Sequence, residues 1–470
     1  MILRRVLIAN RGEIAVRVVR TCRALGVETV LTVAGADRDA VPSRLADAVI
    51  PVGAGYLDAD AVVRAALAAG ADAVHPGYGF LAESPRLARA CDAAGLVFIG
   101  PTAEQLDAVG DKLAARDRAT AAGLAVVPGG PVGSQGGEGG KKAAAALATE
   151  IGWPVLVKAA GGGGGRGLRA VAGPAQLDAA IEAATAEADA AFGDPRVYLE
   201  RLVTSGRHVE VQLLGDGERV IHLGDRDCSV QRRYQKLLEE APAPLLDEDL
   251  RSAIRRAAVA FGRHLGYRGL GTVEFLVDAE RGACYFLEMN ARIQVEHPVT
   301  EAITGLDLVA EQIAVAEGGP LRLAQDDVCL AGHAIECRIN AEDPGQGFRP
   351  SPGTVTRAVF PAGPGIRVDT HVQAGSAVPP GYDSLLAKLI VTGRDRAQAL
   401  ARLRTALARC EIGGVATTAA LHAELAADPE FARGGADTGY LARFLQHRTG
   451  MPAPADVTDK RDAGAGASRG

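Results

Sequence analysis

Five consecutive glycines, Gly161 to Gly165, stand between two apolar runs, Pro154-Val155-Leu156-Val157-Lys158 and Leu168-Arg169-Ala170-Val171, that read as strands. With Arg166 and Gly167 the run contains a formal G-x-G-x-x-G at Gly162, Gly164 and Gly167. That spacing marks a dinucleotide site only where it opens a helix. Here a strand follows, so the segment reads as a hairpin whose tip, Gly162, Gly163, Gly164, Gly165, Arg166 and Gly167, can lay backbone N–H groups over phosphates. The following strand argues against an NAD-dependent oxidoreductase. Gly139-Gly140-Lys141-Lys142 lacks the Ser or Thr with which a Walker A loop holds magnesium, so it is no P-loop. A plain flexible linker stays open as the alternative, and Lys158 just before the glycines favours phosphate contact.

The rest of the chain can support such a site. Its 470 residues, 48% hydrophobic and 23% charged, suffice for about three domains with separate cores. The 51 Lys+Arg against 57 Asp+Glu leave a formal charge of −6, without the basic field or stripe that nucleic acid demands. The start, Met1 to Ala9, offers too short an apolar run for a signal peptide, and no run reaches membrane-spanning length. Seven scattered cysteines without a Cys-x-x-Cys pair read as reduced, mostly buried thiols in a cytoplasm.

Residues 1–110 alternate strands (Val6–Ala9, Thr29–Val33, Ala73–His75, Val97–Ile99) with helices (Glu13–Leu25 and about 59–69), the signature of a parallel α/β, Rossmann-like domain. Residues 111–325 are α+β in character, with a short helix near 111–122, a glycine-rich mobile loop at 129–140, and an alanine-rich helix near 175–191. Residues 326–447 mix short strands and helices, and the tail 448–470 reads as disordered.

Thr272–Val277 and Cys284–Asn290 alternate as strands around a turn containing Arg281 and Gly282. Counting outward from Arg281 sets Glu274 opposite Glu288, with β-carbons roughly 4.5 to 5.5 Å apart, where like charges repel unless a cation lies between them. Asn290 shares the Glu288 face, and the three make a hard oxygen set of the kind magnesium prefers. If the strand continues through His297-Pro298, Arg292, Gln294 and Glu296 project on the same face: a cation, an amide and a potential base. A solvated face of unpaired carboxylates remains the alternative from spacing alone.

At this point the sequence resembles the biotin carboxylase family of ATP-grasp enzymes, nearly throughout to about residue 445. The resemblance rests on Ile8-Ala9-Asn10-Arg11-Gly12-Glu13-Ile14-Ala15, His75 to Leu81, Lys158 to Gly167, Arg226 to Arg233, Glu239 to Pro244, Glu288 to Pro298 and Glu336 to Glu342, in family order. It implies an N-terminal pre-ATP-grasp domain, an ATP-grasp domain with a mobile lid at about 130–203, and a C-terminal biotin carboxylase domain. The implied reaction uses ATP and bicarbonate to carboxylate biotin on a carrier protein, through carboxyphosphate.

Carried over by motif, Lys112, Lys158 and the glycine lid would contact ATP, with Glu200, Arg201, Val203, His208, Gln231, Tyr234 and Leu276 lining the nucleotide site. Glu274 and Glu288, with Asn290, would hold magnesium or manganese, two ions in all. Lys236, Arg292, Gln294, Val295 and Glu296 would hold bicarbonate, with Glu296 its base, and Arg338 would face biotin. Lys236, Arg292, Glu296 and Arg338 are thus the expected catalytic set. Without the family match, a structural ion pair is the simpler reading of Arg338.

The chain departs from the family pattern at Tyr234, where relatives carry His, at Arg201 in place of Lys, and at Asp225 in place of Glu. With methionine only at 1, 289 and 451 there is no Ala-Met-Lys-Met biotinylation site, so the carrier is expected on a separate chain, as are carboxyltransferase subunits. A homodimer is the family expectation. Another ATP-grasp ligase with a non-biotin acceptor, or a nucleotide-binding paralogue without turnover, would carry the same carboxylates.

Overall fold

The computed structural model describes residues 2–53, 55–132, 138–161 and 168–449. Gly162, Gly163, Gly164, Gly165, Arg166 and Gly167, residues 133–137 of the glycine-rich stretch, and the tail from 450 lie outside the described residues.

Strands β1 (Arg5–Ile8), β2 (Glu28–Val33), β3 (Ala48–Pro51), β4 (Ala73–His75) and β5 (Val97–Phe98) form a parallel sheet in the order β3-β2-β1-β4-β5. The unbroken apolar run Val6-Leu7-Ile8 suits a strand covered on both faces. The helix Gly12–Ala24 covers one face, setting Ile14, Val18 and Cys22 in a core with Val6, Ile8 and Leu31. It is buried around most of its girth, Glu13 and Arg17 included, because the strand Ile366–Thr370 packs on its other side. The expected Rossmann-like organisation is present.

Strands β6 (Gly129–Pro131), β7 (Val155–Ala159), β8 (Arg169–Val171) and β9 (Val197–Arg201) form a small sheet in the order β6-β9-β7-β8. β7 and β8 pair antiparallel, Val155 with Val171 and Val157 with Arg169, so the glycine run does join two strands of a hairpin rather than open a helix. The reading of 129–140 as a loop is wrong at both ends. Gly129–Pro131 is an edge strand on β9, where an added β-carbon at Gly129 would overlap the Leu199 carbonyl oxygen and where Pro131 can lack an N–H. Glu138–Ile151 is a helix: the alanines after Lys142 are strong helix formers, and Ala144 and Ala148 bury one face against Val155 and Leu199.

The largest element is an antiparallel sheet of eight strands. β10 (Gly206–Asp216), β11 (Val220–Arg232), β12 (Gln235–Ala241), β13 (Arg268–Asp278), β14 (Ala283–Asn290) and β15 (His333–Asn340) join the strands Leu385–Gly393 and Ile366–Thr370. Their spatial order is β14-β13-β10-β11-β12-β15, then 385–393 and 366–370. β12 pairs with β15, Glu239 opposite Glu336, so the central and C-terminal segments of the chain share one sheet. All seven cysteines are free thiols, and no helix among the described residues is long and apolar enough to cross a membrane.

Replacing Gly129 by Ala is expected to destabilise the small sheet by about 1–3 kcal/mol. Amide exchange should rise in 129–131 and 197–201 while β10 to β14 keep their protection.

Candidate active site

One row of charged side chains crosses four strands of the large sheet. Arg226 on β11 pairs with Glu210 on β10, Glu210 with Glu274 on β13, and Glu274 with Glu288 on β14. The pairing of Glu274 with Glu288 matches the count along the sequence, although the hairpin is not regular. From Asp278↔Ala283 to Phe275↔Phe286 the register would bring Leu287 against Glu274; a β-bulge there absorbs Leu287 and restores Glu288 to that place. A slip of one residue would turn the Glu288 carboxylate to the opposite face.

Cations neutralise the row. Arg226, fully buried, donates to Glu210 at 2.6 Å, to Gln212 at 2.7 Å, to Thr300 at 2.8 Å and to Thr272 at 3.1 Å. The Lys236 ammonium lies 2.6 Å from Glu210, 2.9 Å from Glu274 and 2.6 Å from Glu296. His208 Nε2 is 3.0 Å from Glu274, and Asn290 donates to Glu274 at 2.9 Å. Burial by itself would raise the pKa of Glu274, but Lys236 and His208 hold it well below the usual carboxylate range. Burial opposes a charged Lys236 in the same way, and Glu210, Glu274 and Glu296 outweigh it. Sequence reasoning missed Glu210 and the fixed role of Arg226. The signal was there for Glu210, which alternates in phase with His208 and Gln212.

The strand expected to run through His297 ends at Asn290, which corrects the extended reading of 291–298. Pro298 presets the first turn of a helix, His297–Thr304, and Glu296 stands at its N-cap with φ −80° and ψ 8°. The side chains nevertheless converge, because the loop folds back over the sheet. Arg292 donates to Asn290 at 2.7 Å, to Gln294 at 2.8 Å and to Glu83 at 2.9 Å, and Gln294 donates to Glu274 at 3.3 Å. Glu296 makes no cap bond; its carboxylate accepts from Lys236 at 2.6 Å and from Arg338 at 2.9 Å. Although burial acts to raise its pKa, Lys236, Arg338 and Arg226 hold it far below the ordinary value. Arg338 also donates to Glu239 at 2.6 Å, and Glu239 is pushed up to about 7, chiefly by burial, with Arg338 acting against it.

The residues expected at the nucleotide lie on two sheets. Lys158 donates to Glu200 at 2.9 Å on the small sheet, and Arg116 pairs with the other Glu200 oxygen. Lys112 is 3.4 Å from Glu288, linking the small-sheet side to the carboxylate row. Leu276 is the cross-strand neighbour of His208 on the Glu274 face, Val203 is buried nearby against the Gly206 backbone, and Gln231 donates to the Cys228 carbonyl at 3.3 Å. Arg201 donates to the Tyr285 hydroxyl at 2.8 Å and lies over its ring, so its guanidinium is held by protein. Tyr234, with Arg233, makes the two-residue turn from β11 to β12 at φ 67° and 47°, left-handed values costly for non-glycine residues and typical of functional sites. Glu274, Glu288 and Asn290 offer the hard oxygens that suit a magnesium or manganese ion. Glu288 is partly exposed, so an incoming ion could reach it.

The family model for the biotin carboxylase N-terminal domain matches residues 2–106, and that for the C-terminal domain matches residues 336–443. Between them, residues 111–324 match the ATP-binding domain of the carbamoyl-phosphate synthase L chain. The biotin carboxylase of Pseudomonas aeruginosa is 49% identical over 451 residues, 94% of this chain and 99% of that one. The chain belongs to the biotin carboxylase family. Among solved biotin carboxylases, the domain dimer of Hydrogenobacter thermophilus 2-oxoglutarate carboxylase, bound to MgADP, ADP and bicarbonate, superposes with a TM-score of 0.92 at 44% identity. That match covers 95% of this chain and 98% of the other. The Campylobacter jejuni biotin carboxylase, in complex with a β,γ-ATP compound, gives 0.90 at 44% identity over 94% of this chain and 99% of its own.

The depressed Glu296 pKa gives the protein stability that is present above the ordinary carboxylate value of 4.5 and lost as pH falls through the lower folded value. In Glu296→Gln the acid limb of the melting temperature against pH should be shallower than in the wild type. An unchanged limb would place the acid sensitivity elsewhere.

Proposed function

We propose that this chain carboxylates biotin, using ATP and bicarbonate, as the first half-reaction of an acyl-CoA carboxylase or related enzyme. The observation that carries the reading is the Glu296 carboxylate held between Lys236 and Arg338 beside the Glu210–Glu274–Glu288 row. Two cations on one carboxylate make it a weak base while no substrate is present. When bicarbonate takes the Lys236 ammonium and the ureido oxygen of biotin takes Arg338, Glu296 loses both partners and its basicity rises.

Glu296 then removes the bicarbonate proton, and the freed oxygen attacks the γ-phosphorus to give carboxyphosphate and ADP. Arg292, Gln294 and the Val295 backbone hold the bicarbonate, with Arg292 braced by Glu83 and Asn290. Lys112, Lys158 and the glycine hairpin bind the phosphates, while Glu200, Arg201, Val203, His208, Gln231, Tyr234 and Leu276 surround the nucleoside. Magnesium or manganese, held by Glu274, Glu288 and Asn290, would neutralise phosphate charge. Carboxyphosphate breaks down to CO₂ and phosphate, and the phosphate takes the N1 proton of biotin. Arg338 supports the resulting enolate oxygen with a charge-assisted hydrogen bond, and N1 attacks CO₂. The biotin belongs to a carrier on another chain, the product passes to a carboxyltransferase, and the enzyme works as a homodimer.

The test is ADP release by the purified chain with bicarbonate and free biotin each supplied or withheld. Turnover should need both and fall by at least about a hundredfold in Glu296→Ala, the lower range for loss of a general base. Bicarbonate-dependent turnover indifferent to free biotin and to a biotinylated carrier would mean another acceptor, and an ATP-grasp ligase of different specificity.

A further inference from the structure

Two sequence motifs, Ile8 to Ala15 and His75 to Leu81, have no place in the chemistry above, yet both lead to its base. Asn10 donates to the Pro76 and Tyr78 carbonyls at 2.7 Å each, fixing one motif to the other. The Tyr78 hydroxyl donates to Glu13, and Glu13 lies 3.2 Å from the ammonium of Lys388. Lys388, in the middle of the strand Leu385–Gly393, is wholly buried and donates to the carbonyl of Val295 at 2.9 Å.

That carbonyl belongs to the peptide joining Val295 to Glu296, in the loop that has left the sheet. Successive carbonyls of this loop have side-chain donors in place of a neighbouring strand. Arg292 reaches Ile293 at 3.2 Å, His297 Nδ1 reaches Gln294 at 2.7 Å, and Lys388 reaches Val295. The Glu296 carbonyl is taken by the Val299 N–H at 3.3 Å. The Glu296 carboxylate makes no cap bond, so it takes no direction from the helix N-terminus, and the peptide that precedes it is held from outside the helix by Lys388. A buried ion pair is often replaceable by apolar side chains without loss of stability, so packing alone gives little reason for Lys388 and Glu13 to be charged.

We propose that Lys388 and Glu13 are positioning residues for bicarbonate activation: the ion pair fixes the Val295–Glu296 peptide and through it the direction of the Glu296 carboxylate. The inference rests on the reading of Glu296 as the base. It gives the N-terminal segment a part in the chemistry, since Glu13, itself held by Tyr78, holds from one side the ammonium that the Val295 carbonyl meets from the other.

The test is the double variant Glu13→Gln/Lys388→Met, which removes both charges of the pair, while Asp369, opposite Lys388 across the sheet, keeps its ion pair with Arg367. With its fold confirmed by circular dichroism and thermal melting, kcat/KM for bicarbonate should fall at least about tenfold, the scale of a sub-ångström misplacement, while KM for ATP stays at the wild-type value. A folded double variant with wild-type kcat/KM for bicarbonate overturns the proposal, as does a KM for ATP that rises by the same factor. Should the double variant not fold, Glu13→Gln alone, which keeps the shape and weakens the hold on Lys388, should lower the same parameter about threefold at constant KM for ATP. No change there overturns it too. Glu296→Gln is measured alongside. If Glu296→Gln keeps wild-type turnover, the base assignment falls and this inference with it; if Glu296→Gln fails and the double variant does not, only the positioning role falls.

Discussion

The Lys236 ammonium is the contact on which the centre depends. Glu210 and Glu274 are cross-strand neighbours, and Glu296 arrives from a loop, so three carboxylates converge on one buried point. Without a cation among them, desolvation and mutual repulsion would force one or more to take up a proton or the loop to move away. Because Lys236 starts from β12, the same contact ties the carboxylate strands to the base-bearing loop.

The cations around that point divide by mobility. Arg226 is fully buried and spends its guanidinium on four partners, which makes it a fixed part of the scaffold. The side chains of Lys236 and Arg338 keep 11% and 17% of their exposure, enough for an incoming anion to meet them. A lysine on a flexible stem suits a charge that must be shared with bicarbonate, whereas the planar fork of Arg338 can keep Glu239 while turning other N–H groups to a substrate oxygen. The arrangement of charges is thus both the stabiliser of the centre and the supply on which substrates draw.

Much of this could be read in the sequence, for reasons that differ by residue. Strand alternation set Glu274 opposite Glu288, and the strand after the glycines excluded a dinucleotide helix. The count around Arg281 succeeded because the bulge at Leu287 compensates for a turn centred elsewhere, which no local pattern reveals. Residues 291–296 alternate like a strand, yet Pro298 and the helix it starts decide their path, and their side chains meet by folding back rather than by projecting from one face. Glu210 carried the right periodicity but no like-charged neighbour in the sequence; its partners come from strands distant along the chain. The glycines at 129 and 130 suggested a loop, whereas the Leu199 carbonyl presses so close to Gly129 that the strand has no room for a side chain at that position.

The pairing of β12 with β15 bears on how the molecule can be divided. The chain from 326 onward supplies three of the eight strands, and its first strand completes the hydrogen bonding of β12. A fragment ending near 325 would leave Leu238 to Ala241 of β12 as a raw sheet edge of unpaired N–H and C=O groups, a template for association with other copies. The C-terminal segment is in this sense the edge protection of the nucleotide half, and the two are expected to be inherited and expressed as one folding unit.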